Sequence, residues 1–177
     1  DREVAKELHG KAFEAVGVIG HSGEDYHVLD YRTQRGHEPN WTVATAFELA
    51  ARYQVGRIVV EAVAYQRVLK YLLEQEMKRR GLYWVVIPLV DTRKKYNRIV
   101  STLAGPGAHG HIWCGQEQSE FIEQWNSYPR CTYFDVLDMV AIGVSSLAPL
   151  SPAAARDPAQ GYGDDSWDRE KATRRAP

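Results

Sequence analysis

Three acidic residues stand where ionised side chains are costly unless something compensates them. Glu61 closes the run Arg57-Ile58-Val59-Val60-Glu61-Ala62, whose continuous apolar character is that of a strand covered on both faces. A carboxylate at such a strand end must be solvated, paired or bound to a metal, and ligands of open α/β sheets gather at the carboxyl ends of strands. The ordinary alternative is that the strand has ended and Glu61 is solvated or paired with Arg57 or Arg67. Asp135 and Asp138 open a stretch that is otherwise apolar nearly all round, from Val136 to Val144. Capping and complementing a helix dipole would account for both. Their i, i+3 spacing nevertheless puts them on one face, as half of a divalent-cation site.

Together these residues predict a particular chemistry. Hard Mg²⁺ or Mn²⁺ ions take oxygen ligands, and two-metal phosphodiester hydrolysis needs several carboxylates gathered so that the ions sit about 4 Å apart. Elements distant in the chain must then supply them.

The pattern along the chain provides such elements. Phe13 to Gly20 and Tyr26 to Tyr31, separated by the turn-type cluster His21-Ser22-Gly23-Glu24-Asp25, predict an antiparallel hairpin. Apolar residues at helical spacing predict helices over 42–54 and 65–80, the second ending on Lys78-Arg79-Arg80, which complement the dipole. Trp84 to Pro88 is a further buried strand, with Trp84 in the core. A basic helical segment from Arg93 to Leu103 leads to a turn at Gly105-Pro106-Gly107-Ala108-His109-Gly110. A short strand over 112–114 follows, with Trp113 as core, then helices over 117–125 and 135–147. Short connections through this order predict an α/β fold with one mixed β-sheet flanked by helices. Beyond Pro149 the composition turns to Pro, Ala, Gly, Asp and Arg, which predicts a single domain over 1–148 and a disordered tail over 149–177.

The chain has 177 residues and is 44% hydrophobic, enough for a core of its own. Its 22 basic and 23 acidic residues nearly cancel, so phosphate binding must be local. Arg93, Lys94, Lys95 and Arg98 form the one dense basic cluster ahead of the tail. They are the candidate DNA-binding residues, as phosphate ligands that position a duplex without reading it, unless they are only a solvated helix face. Nothing in the sequence is a base-reading module, so little sequence specificity is expected. His109 and His111 flank a glycine turn with no third ligand in view, and are read as loop residues. Cys114 and Cys131 lie far apart and are read as reduced thiols rather than a disulfide or zinc framework. No apolar run is long enough for a membrane span and no GxxxxGK[ST] phosphate loop occurs. A soluble protein without an ATPase site of its own is expected.

Three segments carry a family resemblance. Val60-Glu61-Ala62-Val63-Ala64-Tyr65-Gln66-Arg67-Val68-Leu69 resembles the nuclease segment of phage terminase large subunits, where a strand-end Glu is followed by Gln and a helix. Phe134-Asp135-Val136-Leu137-Asp138-Met139 resembles that family's DDxxDA helix start. Lys94-Lys95-Tyr96-Asn97-Arg98-Ile99, with Gly110-His111-Ile112 further on, resembles its intervening stretch. Phe134 stands where many members have the first Asp of the pair, and Ala62 where Asp or Asn is frequent.

The resemblance implies an RNase H-like fold and a metal-dependent endonuclease that cuts concatemeric viral DNA during genome packaging in the infected host's cytoplasm. It implies Asp1, Glu61 and Asp135 as catalytic carboxylates, Asp1 completing the set from the first strand. With Asp138 they would bind two Mg²⁺ or Mn²⁺ ions. It also implies double-stranded DNA as substrate, an ATPase motor domain upstream in the same polypeptide, which would explain the start at Asp1, and the portal and small terminase subunit as partners. The rival expectations are another RNase H-like nuclease, of junction-resolvase or transposase type, and a catalytically silent domain that docks on a motor or portal.

Overall fold

A computed structural model describes residues 13–36, 39–61 and 66–147; Asp1 and the 149–177 segment lie outside the described residues. The described residues open with the expected hairpin, longer than its apolar core. Strand β1 (Phe13–Ser22) runs antiparallel to β2 (Asp25–Arg35) through the two-residue loop Gly23-Glu24. Gly23 adopts φ 65°, the left-handed conformation such a loop asks of its first residue. A register shift between Val18 and Ile19 marks a bulge.

Helix α1 (Pro39–Tyr53) leads to β3 (Arg57–Glu61), α2 (Gln66–Arg80) crosses back to β4 (Val85–Leu89), and β3 and β4 pair in parallel. Helix α3 (Lys95–Ala108) and strand β5 (Ile112–Cys114) follow, β5 lying parallel to β2. Helices α4 (Ser119–Ser127) and α5 (Asp135–Leu147) complete the described fold.

The α/β class is observed, but the strands do not form one sheet. Among the described residues they form a three-stranded sheet, in the order β1-β2-β5, and a separate two-stranded sheet of β3 and β4. Helix α5, which packs against β1, β2 and β3, and helix α1, which packs against β1 and β2 and puts Val43 and Phe47 into the core with β3 and β4, join the two in place of ladder hydrogen bonds. Helix α5 suits that position because Val136, Leu137, Val140, Ala141 and Val144 are all buried. They meet Tyr26 and Val28 of β2, Ile99 and Leu103 of α3 and Phe121 of α4 in the larger core.

The second core explains a departure in β3 and β4. Ile58, Val60, Trp84 and Val86 pack with Val43 and Phe47 of α1 and Leu69, Leu73 and Met77 of α2. Trp84 is therefore core, edge-on to Phe47 at 5.1 Å between ring centroids. On the other face of β4 Ile87 and Leu89 are only half-buried and Val85 is 64% exposed. Continuous apolar character thus did not mean burial on both faces. Trp113 also departs from the expected core position: it is 55% exposed on the short strand β5, while its neighbour Ile112 packs inward.

Helix α3 runs into the predicted turn as far as Ala108, and His109 and Gly110 remain a turn. Pro106 lies inside it, with the Pro106 carbonyl accepting from His111 N–H at 2.8 Å. Gly107 lets the Trp125 ring approach, since a Cβ there would lie 2.7 Å from the ring. No described helix is long and apolar enough to cross a membrane.

Close packing of α5 on β1 makes a testable demand. A Cβ on Gly143 would sit 2.4 Å from Ile19 Cγ1 and 3.1 Å from its Cβ, on a branched side chain with little room to turn. Gly143→Ala should lower stability by about 1–3 kcal/mol despite alanine's better helix propensity. Gly56→Ala, where a Cβ meets nothing within 4 Å, should leave the urea midpoint unchanged or raise it slightly. Equal midpoints for the wild type and Gly143→Ala would contradict the packing described.

Candidate active site

The three carboxylates that could carry chemistry are brought together through the first turn of α3. Arg98 lies 37 residues beyond Glu61 and 40 before Asp138, and bonds both. Its Nε and Nη2 donate to the two oxygens of Asp138, each at 2.7 Å, and its Nη1 donates to Glu61 Oε1 at 2.6 Å. The Arg98 side chain is 4% exposed. These bonds, those to Asp138 foremost, hold its guanidinium pKa above the ordinary arginine value.

Lys95 is the first residue of α3, three before Arg98 in the same turn. Its ammonium is 2.6 Å from Asp135 Oδ1 and 3.7 Å from Asp138 Oδ2, and 5.0 Å from the centroid of the Phe134 ring. Both predicted helix-start aspartates therefore fall in the first turn of α5, and both are paired with cations from α3. Glu61 does have an arginine partner, but it is Arg98 rather than Arg57.

The helix start that carries the aspartates is held from outside. Leu137 N–H donates to the side-chain oxygen of the buried Gln124 in α4, at 3.2 Å. One orphan donor of α5's first turn is thus satisfied by another helix rather than by a residue of its own. Helix α4 is held similarly: Phe121 N–H donates to the Tyr31 hydroxyl of β2, at 3.0 Å.

A fourth carboxylate, unremarked in the sequence, lies past the end of β4. Asp91 accepts from Arg93 Nε and Nη2 and from the Arg93 backbone N–H, while Arg93 Nη1 donates to Ser101 Oγ. The Arg93 hydrogen bonds bring the Asp91 pKa down to about 2, with the Arg98 charge assisting. Its signal was the one that singled out Glu61, an acid just beyond an apolar strand.

The four predicted DNA-binding residues are divided by the fold. Lys94 and Arg93 are exposed, Arg93 being committed to Asp91. Lys95 and Arg98 face the carboxylates, and the buried Arg98 is out of reach of a phosphate.

Whether these residues suit a divalent ion depends on the two cations. Among the described residues no group of three or more His, Cys, Asp or Glu side chains could hold a metal as arranged. Glu61 lies across Arg98 from the aspartates. The donor chemistry between Asp135 and Asp138 is nonetheless the hard-oxygen type that Mg²⁺ and Mn²⁺ take, and an ammonium already bridges them. Lys95, 34% exposed and on a flexible stem, can leave that position without unfolding α3. With Lys95 displaced, Asp135 and Asp138 would offer two of the oxygen ligands that one such ion takes.

The Asp91–Arg93 pair gives the site a pH signature. A carboxyl whose folded pKa is depressed contributes stability above its unfolded value, near 3.9, and that contribution is lost as pH falls toward about 2. Arg93→Gln should therefore be less stable than the wild type at pH 5, with the difference shrinking as pH drops through that window. Urea midpoints at pH 5 and pH 3 measure it, and a pH-independent difference would exclude the linkage. The sequence matches no protein-family model and no curated protein.

Proposed function

We propose that this chain is a metal-dependent DNA endonuclease domain of the RNase H-like type, working as the nuclease module of a terminase large subunit during genome packaging. The observation that carries the proposal is the meeting of Glu61, from the end of β3, with Asp135 and Asp138, from the start of α5, on the paired cations Lys95 and Arg98. Asp135 and Asp138 would hold a Mg²⁺ or Mn²⁺ ion. Glu61 and, by the family resemblance, Asp1 would supply the remaining oxygens, including those for a second ion. Bound there, the metal would activate water and stabilise the leaving 3′ oxygen of a phosphodiester, giving 5′-phosphate and 3′-hydroxyl ends.

The chain's own residues prepare that chemistry. Arg98 fixes Glu61 and Asp138 in relation to each other. Lys95 neutralises the aspartates in the metal-free state. Lys94, exposed at the start of α3, is placed to meet a phosphate of double-stranded DNA. Near-neutral charge suits a cutting module to which an ATPase motor in the same polypeptide delivers the duplex at the portal.

Incubation with supercoiled plasmid and Mn²⁺ tests the proposal. Glu61→Ala and Asp135→Ala should each nick at a rate reduced by about a hundredfold or more, whereas nicking equal to the wild type would remove both residues from the mechanism. The pairing of Glu61, Asp135 and Asp138 with Arg98 and Lys95 favours one second reading, a catalytically silent domain that docks on a motor or portal. Calorimetry with Mn²⁺ separates the two. A nuclease binds the ion, and Lys95→Met, which removes the competing ammonium, should bind it several-fold more tightly. Absence of binding to either protein supports the silent domain.

A further inference from the structure

Beside the carboxylates lies an aromatic surface that the hydrolytic chemistry does not use. Tyr96, between Lys95 and Arg98 on the first turn of α3, is 50% exposed. Its ring stacks on Tyr128, with centroids 5.6 Å apart and planes 25° apart. The Tyr128 hydroxyl donates to the Tyr96 carbonyl at 3.3 Å. Tyr128 in turn meets Phe134 edge-on at 5.8 Å, and Phe134 lies under the Lys95 ammonium. The three rings form a ladder from the surface to the residue preceding Asp135. Two exposed cations flank it: Lys94, two residues before Tyr96, and Arg130, two residues after Tyr128.

We infer that Tyr96, backed by Tyr128 and Phe134, is a stacking platform for an unpaired base of a DNA strand, with Lys94 and Arg130 taking the neighbouring phosphates. The inference rests on the nuclease reading and adds to it a hold on an unpaired stretch of the DNA beside the site of cutting. Three physical points carry it. A large exposed ring held on one side by other rings offers a preorganised surface, so a base that stacks there orders little protein. Aromatic rings interleaved with cations are the means by which proteins hold single strands without reading sequence. Within an intact duplex both faces of each base are already stacked, so such a platform serves frayed, nicked or single-stranded DNA. The exposed Trp113 stands instead on β5, where the neighbouring carboxylates are Asp25 and Glu24 rather than Glu61, Asp135 and Asp138.

Fluorescence anisotropy in EDTA, with the full chain and two labelled probes of equal length, reads binding apart from cleavage. The wild type should bind an oligothymidylate more tightly than a blunt duplex. Tyr96→Ala should weaken oligothymidylate binding by roughly tenfold or more while leaving duplex binding unchanged. Tyr96→Trp should retain single-strand affinity, and Tyr96→Leu, which keeps an apolar side chain without a ring, should lose it. Wild-type affinity for the single strand in either ring-less variant, or equal affinity of the wild type for both probes, overturns the inference. Because no metal is present, the two proposals fail separately: strand preference without Mn²⁺-dependent nicking removes the nuclease reading, and nicking without a Tyr96 effect removes the platform.

Discussion

The guanidinium of Arg98 is the interaction on which the rest of the site depends. It is a buried cation whose N–H groups are spent on carboxylates from two other elements, Asp138 of α5 and Glu61 of β3. Burying such a group costs several kcal/mol, and removing one partner of a buried pair typically costs about 3–5 kcal/mol, because the other is left uncompensated. The three residues therefore persist as a unit. Among the described residues no ladder joins β3 to β1. The junction between the two sheets falls to α1 and α5, to α5 through its apolar contacts and through this ionic bond to α3 and β3.

The two cations of the site differ in a way that matters for function. Arg98 is a rigid fork, enclosed and engaged with two partners; Lys95 is a single point charge on a flexible chain, partly open to water. Three carboxylates against these two cations leave one net negative charge, the sign that the proposed divalent ion would require. Exchange of Lys95 for a metal would preserve the Arg98 framework. The arrangement also accounts for the weak basic character of the surface, since two of the four clustered cations are spent inside.

Local pattern made much of the fold legible. The hairpin, α1, α2 and the start of α5 follow from alternation, helical spacing and turn residues. What failed were inferences that depend on tertiary partners. Val85 lies in a run as apolar as a central strand, yet no described element covers it. Gly105-Pro106-Gly107 has the composition of a turn, yet α3 continues through it, with Gly107 making room for Trp125 and the Pro106 carbonyl held by His111. At the site, Glu61, Asp135 and Asp138 were legible because acids beside apolar runs require compensation. The identity of the compensating group was not, because four adjacent basic residues look alike until the helix phase is known. The signal was present in Asp138, an acid set into an apolar helix, which needs a buried cation nearby. Tyr96 and Tyr128, 32 residues apart, became a pair only through packing.

A second set of bonds reaches the same helix start from the opposite side. The Tyr31 hydroxyl of β2 takes the Phe121 N–H of α4, and Gln124 of that helix takes the Leu137 N–H of α5. Each satisfies a backbone donor that a helix end leaves open, so neither bond is spent only on positioning. The first turn of α5 is thus fixed twice, by Arg98 and Lys95 through its aspartates and by Gln124 through its backbone. The proposed hydrolysis would demand ligands placed within about 0.5 Å, which one flexible contact cannot secure. Two independent tethers, one ionic from α3 and one neutral from α4, restrain both the axis of the helix and the side chains that project from it. Exchange of Lys95 for another cation would then leave the aspartates where they stand.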